Sequence, residues 1–172
     1  MEYLSLHSDA EGIHIESVVI AVQDGHSFRL DYKIDCDPFY RVRTVHASLH
    51  GGAAIAITSN GDGNWFDQQH QNLSHIKGCE DVDISATPFT NTLPIRRLAW
   101  QPDQIEKLHV VYFAIPEMTI HADEQRYTCV EQRPDGSTFY FEQISTGFAA
   151  TLKIDADGLV SDYPGLFTKL AG

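Results

Sequence analysis

The stretch SFRLDYKID, residues 27–35, indicates the fold class of this chain, because apolar and charged residues alternate along it without a break. The apolar positions are Phe28, Leu30, Tyr32 and Ile34. A period of two places these side chains on one face of a β-strand and leaves the charged ones on the other, solvated face. The same alternation returns at residues 148–155 and around Tyr140, so we expect strands with one buried face.

Turn signals separate these strand-like runs at short intervals. They are DG at 24–25, GG at 51–52, NGDGN at 60–64, PDG at 134–136 and DG at 157–158. Such signals favour tight antiparallel turns and predict roughly ten or more strands in a single domain, residues 1–172. We therefore predict an all-β fold whose curled antiparallel sheet forms a barrel-like or spiral β-roll, because closure hides strand edges. Such a barrel can leave room for a ligand.

Two segments carry more detailed predictions about strands. Between Ile13 and Val22 the apolar parity changes, which predicts a bulge near Glu16 and Ser17 that bends the strand. The run HVVYFAI, residues 109–115, has apolar residues at both odd and even positions, and this pattern predicts a strand that is covered on both faces.

Composition limits the classes of function. The net charge of -12, with no run of lysine or arginine, argues against nucleic acid and anionic membranes as partners. No window resembles a secretory signal or a membrane span, and the three separated cysteines form no CxxC motif. We expect a soluble, cytoplasmic protein without a metal site, a disulfide scaffold or a cofactor.

Histidines and carboxylates supply the first candidate sites. His46 and His50 would share one face of a helix, but on a strand they lie ~13 Å apart, too far for one metal ion. Asp81 and Asp83 would lie ~7 Å apart on one strand face, near the spacing of acid and base pairs in glycosidases. Solvated carboxylates, or partners of nearby arginines, are the simpler interpretation of this pair. No GxSxG, P-loop or GxGxxG motif is present.

The arginines are more informative. Arg41 and Arg43 share strand parity with apolar residues, so at least one of the two guanidinium groups should face the apolar side. Arg96 and Arg97 are adjacent on a second predicted strand, so one of them should face inward. An inward guanidinium requires either a structural carboxylate, such as Asp83 or Asp31, or an anionic or polyhydroxyl ligand.

The segment DISATPFTNTLPIRRL, residues 83–98, connects strand-like runs. Pro88 and Pro94 remove backbone donors, and the threonine and asparagine side chains can bond local backbone groups instead. We therefore predict a rigid polar loop that aims residues 95–100 into the sheet and presents Asn91 as a candidate ligand contact.

Five motifs carry a resemblance to a known family. They are TNTLPIRRL (90–98), GCEDVDI (78–84), RLDYKIDCD (29–37), QRYTC (125–129) and IDADGLVSDYPGLF (154–167). Through them the chain resembles, over nearly its whole length, the bacterial family of putative glycolipid-binding proteins, formerly a domain of unknown function. One departure is Phe39 with Tyr40, where many family members have a tryptophan.

The resemblance implies a single all-β domain similar to the half-open barrels of lipoprotein carriers, which hold acyl chains in an apolar groove. By fold analogy it suggests a non-catalytic module that binds a glycolipid or another amphiphile inside the roll. Apolar residues would hold the tail, and polar residues would meet the head group. The candidate ligand contacts are Arg43, Asp83, Asn91, Arg96, Arg97 and, from the QRYTC motif, Gln125 and Tyr127.

Two other functions remain open at this point. A hydrolase could act on a glycosidic or ester bond with Asp83 as its carboxylate and Arg96 as a charge stabiliser. An assembly module could bind a protein partner or a second copy of the chain through sheet edges. Exposed aromatic residues such as Trp65 and Phe66 would then contribute to the contact.

Overall fold

Two β-sheets build the protein in the computed structural model, which describes residues 1–170. Strands account for 57% of the chain and helices for 7%, so the predicted all-β class is confirmed. The first sheet has six strands and the second has seven, and the second sheet curls into a half-barrel, as predicted. None of the helices described is long and apolar enough to cross a bilayer.

The first sheet is an antiparallel meander in which each strand pairs with the next one along the chain. Its strands are β1 (Glu2–Ser8), β2 (Ile13–Gln23), β3 (His26–Cys36), β4 (Val42–Leu49), β5 (Ala54–Ser59) and β6 (Trp65–Phe66). The predicted DG turn joins β2 to β3, with φ of 50° at Asp24 and 79° at Gly25. Two positive φ angles are what a two-residue hairpin turn requires, and this explains the DG pair.

The second sheet is antiparallel except at one edge. Its strands are β7 (Asp81–Ile84), β8 (Ile105–Ala114), β9 (Thr119–Arg133), β10 (Gly136–Gln143), β11 (Phe148–Asp155), β12 (Val160–Tyr163) and β13 (Phe167–Thr168). β7 is parallel to β8, because the chain between them passes through a 3-10 turn (Phe89–Asn91) and a helix, α1 (Thr92–Arg97). The register shifts between β9 and β10 and between β11 and β12, where Val130 of β9 and Ser161 of β12 are extra residues, and such bulges bend a sheet.

The first hydrophobic core lies between the two sheets. Strand β3 contributes Leu30, Tyr32 and Ile34, which are at most 1% exposed, so the predicted alternation along residues 27–35 is confirmed. Val82 of the second sheet packs in the same core. Removal of this apolar surface from water is the main stabilising contribution to the fold.

The second core lies on the concave side of the half-barrel. Aromatic residues dominate it, with Tyr127, Phe139 and Phe141 from the sheet and Trp100 from the segment after α1. The rings of Trp100 and Phe139 meet edge to face, with centroids 5.0 Å apart and an interplanar angle of 79°. The segment after α1 therefore closes one end of the half-barrel.

Strand β8 separates the two cores. Val110 belongs to the core of the half-barrel and Val111 to the core between the sheets, and both are at most 1% exposed. The predicted strand with two covered faces at residues 109–115 is thus confirmed. The neighbouring strand β7 also turns apolar residues to the first core, so its Asp81 and Asp83 face the half-barrel.

The bulge predicted near Glu16 and Ser17 is wrong. Strand β2 pairs with both of its neighbours without a register shift. Inner and outer side chains alternate along the whole of β2, because Ser17 occupies an inner position. The residue is 5% exposed there, and its Oγ donates a hydrogen bond to Glu2 Oε1 at 2.7 Å. Because this hydroxyl is hydrogen-bonded, serine can be buried on the inner face, and the strand needs no bulge residue.

Trp65 is buried rather than exposed. Its side chain is 0% exposed, and its Nε1 donates a hydrogen bond to the carbonyl oxygen of Cys79 at 2.8 Å. Its neighbour Phe66 is half-buried. Trp65 therefore does not supply the exposed aromatic surface expected for an assembly module.

Replacing Ile34 with alanine should lower the free energy of unfolding by about 2–5 kcal/mol, because its fully buried side chain would leave a cavity in the first core. The matched control is Ile20→Ala on the outer face of the same sheet. That side chain is 56% exposed, and the expected loss is below about 1 kcal/mol. Urea unfolding followed by circular dichroism measures both variants. Equal losses would contradict the assignment of the two faces.

Candidate functional site

A pocket of about 300 Å³ opens on the concave side of the half-barrel. Its walls come from β7 with residues 85–91, from Tyr112 of β8, from β10 and β11, and from the end of β12 through the turn to β13. One side of the pocket is aromatic, and the other carries carboxylate, amide and hydroxyl groups. The volume lies at the lower end of the range for small-molecule sites, roughly 300–1,000 Å³.

Four of the five aromatic side chains that line the pocket form its apolar wall. They are Phe141, Phe148, Tyr163 and Phe167. The ring of Tyr163 lies centrally, with the centroids of the other three rings 6.3, 6.2 and 6.0 Å away. Burial raises the pKa of Tyr163, so its hydroxyl remains neutral. Leu166 is 56% exposed at the mouth, so the wall continues outward as an apolar rim.

Asp83 forms the polar floor of the pocket. Its carboxylate accepts hydrogen bonds from Gln125 Nε2 at 2.6 Å and from Thr90 Oγ1 at 3.0 Å. Burial raises the pKa of Asp83 above its usual value, although both hydrogen bonds oppose the rise. No lysine or arginine within residues 1–170 lines this pocket. Neutral donors therefore hold the carboxylate, which retains acceptor capacity toward the pocket.

The hydrogen bonds of this floor extend to Asn91. Asn91 Nδ2 donates to the hydroxyl of Tyr127 at 2.7 Å, and that hydroxyl donates to Gln125 Oε1 at 3.4 Å. Burial raises the pKa of Tyr127 well above its usual value, so it stays neutral. Four predicted contacts thus share one network: Asp83, Asn91, Gln125 and Tyr127. Of these, Asp83 and Asn91 line the pocket itself.

Residues 89–97 are helical, which corrects the predicted loop and strand. The 3-10 turn runs directly into α1, and Pro94 lies in the first turn of α1, where no intrahelical donor is needed. A threonine side chain bonds the local backbone, as predicted, because Thr90 Oγ1 accepts a hydrogen bond from Ile84 N at 3.2 Å. This bond ties the turn to β7 and places Asn91 over the half-barrel.

Arg97 is the member of the arginine pair that faces inward. Its Nε and Nη2 donate to the two carboxylate oxygens of Asp81 at 3.1 and 2.6 Å, and its Nη1 lies 3.2 Å from Glu80 Oε2. Burial alone would lower the pKa of Arg97, but Asp81 raises it above its usual value, so the guanidinium stays charged. A structural ion pair therefore holds this arginine, with Asp81 as the partner instead of Asp83 or Asp31.

Arg41 is exposed and Arg43 faces away from the apolar side, so the prediction from strand parity that one of them points inward is wrong. The register between β3 and β4 shifts between Asp35 and Cys36, and Arg43 is the extra residue of this bulge. Its Nη2 donates to Asp37 Oδ2 at 2.8 Å, and its Nη1 donates to the carbonyl oxygen of Asn60. Arg43 therefore ties two turns together, outside the pocket.

Arg96 is exposed, because consecutive residues of a helix point about 100° apart and α1 turns its neighbour inward. Its guanidinium carbon lies 5.2 Å from the centroid of the Tyr40 ring. Its stem passes close to Gly158, where an added Cβ would lie 2.5 Å from Arg96 Cδ. Arg96 is therefore not among the residues that line this pocket.

The predicted carboxylate pair shares one face of β7 but has two different environments. Asp81 is 0% exposed, and its burial raises its pKa while Arg97 opposes the rise. Asp83 is the one carboxylate among residues 1–170 that lines the pocket. A further buried carboxylate, Asp123, was not predicted, and its Oδ2 accepts a hydrogen bond from Gln143 Nε2 at 2.7 Å.

The aromatic wall was not predicted as a site either. Phe141 and Phe148 did belong to recognised alternating runs, which place them on an inner strand face. The remaining signal is DYPGLF, residues 162–167, because its Pro-Gly pair predicts a tight turn that brings the flanking aromatic residues together. That turn is present, with Leu166 N donating to Tyr163 O at 3.0 Å.

The histidines lie outside this pocket. His46 is on β4 and His50 is in the turn that follows, and both are exposed. Within the described part of the chain, no group of three side chains is placed to hold a metal ion.

Replacing Arg97 with methionine should lower the free energy of unfolding by about 3–5 kcal/mol, because the buried carboxylate of Asp81 would lose its counter-ion. The matched control is Arg96→Met, which keeps the aliphatic stem on the exposed side of α1 and should cost at most about 1 kcal/mol. Chemical denaturation measures both variants. Similar costs for the two adjacent arginines would refute the separate roles.

Asp83→Asn should change how stability depends on pH. Because folding raises the pKa of Asp83, the folded protein binds this proton more tightly than the unfolded chain does. The stability of the native protein relative to the variant should be highest below the unfolded pKa of about 3.9, and should fall as pH rises to the folded pKa. Thermal melts of both proteins over a pH series measure this difference. A difference that grows with pH would be the opposite result.

Two comparisons find relatives of the whole chain. The family model described as "Putative glycolipid-binding" matches residues 1–169. Among solved structures, the chain is similar to a crystal structure of a DUF1089 family protein from Pseudomonas aeruginosa, with 31% identity and a TM-score of 0.82 over 98% of this chain and 92% of that one. No curated protein matches the chain. The predicted family is thereby confirmed, and the chain belongs to the family described as "Putative glycolipid-binding".

Proposed function

We propose that the pocket binds the head group of an uncharged glycolipid, or of a similar amphiphile, without chemical conversion. The observation that carries this proposal is the Asp83 floor facing an aromatic wall across about 300 Å³. Sugar rings have hydroxyl edges and apolar C–H faces, so they match a site with one polar side and one aromatic side. The family description supports a binding role in general terms.

The polar side of the pocket suits the hydroxyl groups of a sugar. Asp83 accepts two side-chain hydrogen bonds from the described residues, whereas an ionised carboxylate has about four acceptor sites. Ligand hydroxyl groups can donate to the remaining sites, and such charge-assisted bonds are stronger than neutral ones. The amides of Asn91 and Gln143 line the same pocket and can orient the sugar ring.

The aromatic side suits the apolar part of the ligand. A volume of about 300 Å³ matches one sugar ring better than a head group together with a long acyl chain. The tail should therefore lie along the rim, where Leu166 is 56% exposed and Phe148 is 39% exposed. Contact with a tail would remove this apolar surface from water and favour binding.

Charge distinguishes among head groups. The carboxylate of Asp83 repels anions, and no lysine or arginine of the described residues lines the pocket to offset it. The net charge of -12 adds a longer-range repulsion. Uncharged glycosides should therefore bind better than fatty acids. The arginines first considered as head-group contacts are not part of this proposal; they are Arg43, Arg96 and Arg97.

The hydrolase alternative loses one of its two residues. Arg96 lies over Tyr40 and outside the pocket lining, so it is not placed to stabilise charge beside Asp83. The raised pKa of Asp83 is still a property that a general acid requires. The binding experiment described below should therefore also test whether a bound glycoside is cleaved.

Octyl glucoside tests the proposed function, because it joins one neutral sugar to a short alkyl tail. Calorimetric titration below its micellar concentration should show saturable binding, while octanoate should bind more weakly because its head is a carboxylate. Phe148→Ala removes one ring of the wall and should weaken glucoside binding about tenfold, or about 1.4 kcal/mol. The matched control is Tyr140→Ala, which removes an aromatic ring that is also 39% exposed but lies on the other face of β10.

Three results would count against this function. They are tighter binding of octanoate than of octyl glucoside, equal weakening by the two aromatic substitutions, and no saturable binding of either compound. Release of octanol, followed by mass spectrometry, would instead establish hydrolysis.

A further inference from the structure

The outer edge of strand β1 carries an unpaired row of backbone groups. Among residues 1–170, β1 is the first strand of its sheet and pairs with β2 alone. Met1 and Ile20 exchange both backbone hydrogen bonds, at 2.7 and 2.8 Å, and Asp9 N donates to Gly12 O at 3.0 Å. Because bonded and non-bonded pairs alternate, the odd-numbered residues of β1 bond β2. The backbone groups that point away from β2 belong to Glu2, Leu4, Leu6 and Ser8.

This edge lacks the features that usually prevent pairing between chains. β1 runs for seven residues without a bulge and contains no proline and no lysine. The other sheet ends are different, because β6 and β13 have two residues each, and Thr90 covers the edge of β7 by accepting a hydrogen bond from Ile84 N. Of the strands described, β1 is the one that presents a long open edge.

We propose that β1 pairs with β1 of a second copy of this chain, in antiparallel orientation, with Ser5 at the two-fold axis. Leu4 then lies opposite Leu6 of the second copy, and the four residues with free backbone groups on each strand exchange hydrogen bonds. The two six-stranded sheets become one continuous sheet across the dimer.

The side chains of β1 are complementary to themselves in this register. Leu4 and Leu6 share the inner face, and pairing covers Leu6, which is 38% exposed in the single chain. On the outer face Tyr3, which is 76% exposed, meets His7 of the second copy. The one carboxylate of β1, on Glu2, turns inward and accepts hydrogen bonds from three hydroxyl groups. The pairing therefore brings no like charges together.

The side chains of β1 favour a second copy of this chain over other partners. The backbone groups alone would accept many extended peptides. Self-pairing additionally matches leucine with leucine and puts the small side chain of Ser5 on the axis. The N–H and C=O of Ser5 are directed at β2, so the axis passes through a non-hydrogen-bonded pair, where the chains approach most closely.

A cysteine at position 5 tests this register. In a non-hydrogen-bonded antiparallel pair the Cα atoms lie about 4.5 Å apart, within the range of a disulfide. Ser5→Cys should therefore form a disulfide-linked dimer under mild oxidation. His7→Cys is the matched control and should not, because that position faces Tyr3 of the second copy. The native cysteines at 36, 79 and 129 are buried.

A second variant tests the backbone pairing itself. Leu6→Pro removes an N–H that does not bond β2, so the fold should be retained, as proline is tolerated on the open side of an edge strand. Sedimentation equilibrium should give twice the mass of one chain for the native protein and the mass of one chain for Leu6→Pro. Leu6→Val keeps the N–H and should remain a dimer.

Several results would overturn the proposal. One is a native protein that sediments as a single chain, and another is equal disulfide formation at positions 5 and 7. A folded Leu6→Pro variant that remains a dimer would exclude β1 as the interface. If Leu6→Pro unfolds, the comparison of the two cysteine variants decides the question.

Discussion

The bidentate ion pair between Arg97 and Asp81 anchors the half-barrel. Helix α1 has six residues, fewer than the roughly 12–15 that an isolated helix needs in water, so tertiary contacts must hold it in place. The pair joins the end of α1 to β7 where the two side chains are 11% and 1% exposed. Because the turn before α1 carries Thr90 and Asn91, the same ion pair locates the polar side of the pocket.

Two aspartates of β7 acquire different properties from their neighbours. Both point into the half-barrel, since the strand turns its apolar residues to the other core. Asp81 meets a guanidinium and becomes a structural contact, whereas Asp83 meets an amide and a hydroxyl and stays available to the pocket. A carboxylate held by neutral donors in a partly apolar pocket is suited to recognise hydroxyl groups, and it disfavours anions.

The candidate site was predictable where local rules applied. Asp83 follows from strand parity and Asn91 from the polar segment between prolines, while the family motif QRYTC pointed to the tyrosine and glutamine beneath them. One of the arginine pair, Arg97, does face inward as predicted, but the strand geometry assumed for the arginines was wrong for physical reasons. A bulge at Arg43 breaks the period of two, and a helix turns Arg96 about 100° from its neighbour where a strand would turn it 180°. Ligand contact by the network remains a prediction.

Alternation along residues 27–35 was enough to assign strands and their buried faces, because a period of two is a local property of an extended chain. That pattern could not predict the parallel pairing of β7 with β8 or the pocket beside Phe141 and Tyr163. They arise from contacts between residues far apart in the chain and from the curvature of the second sheet. Side-chain alternation shows which way a residue points, but strand pairing and curvature decide whether it meets a packed core or an open pocket.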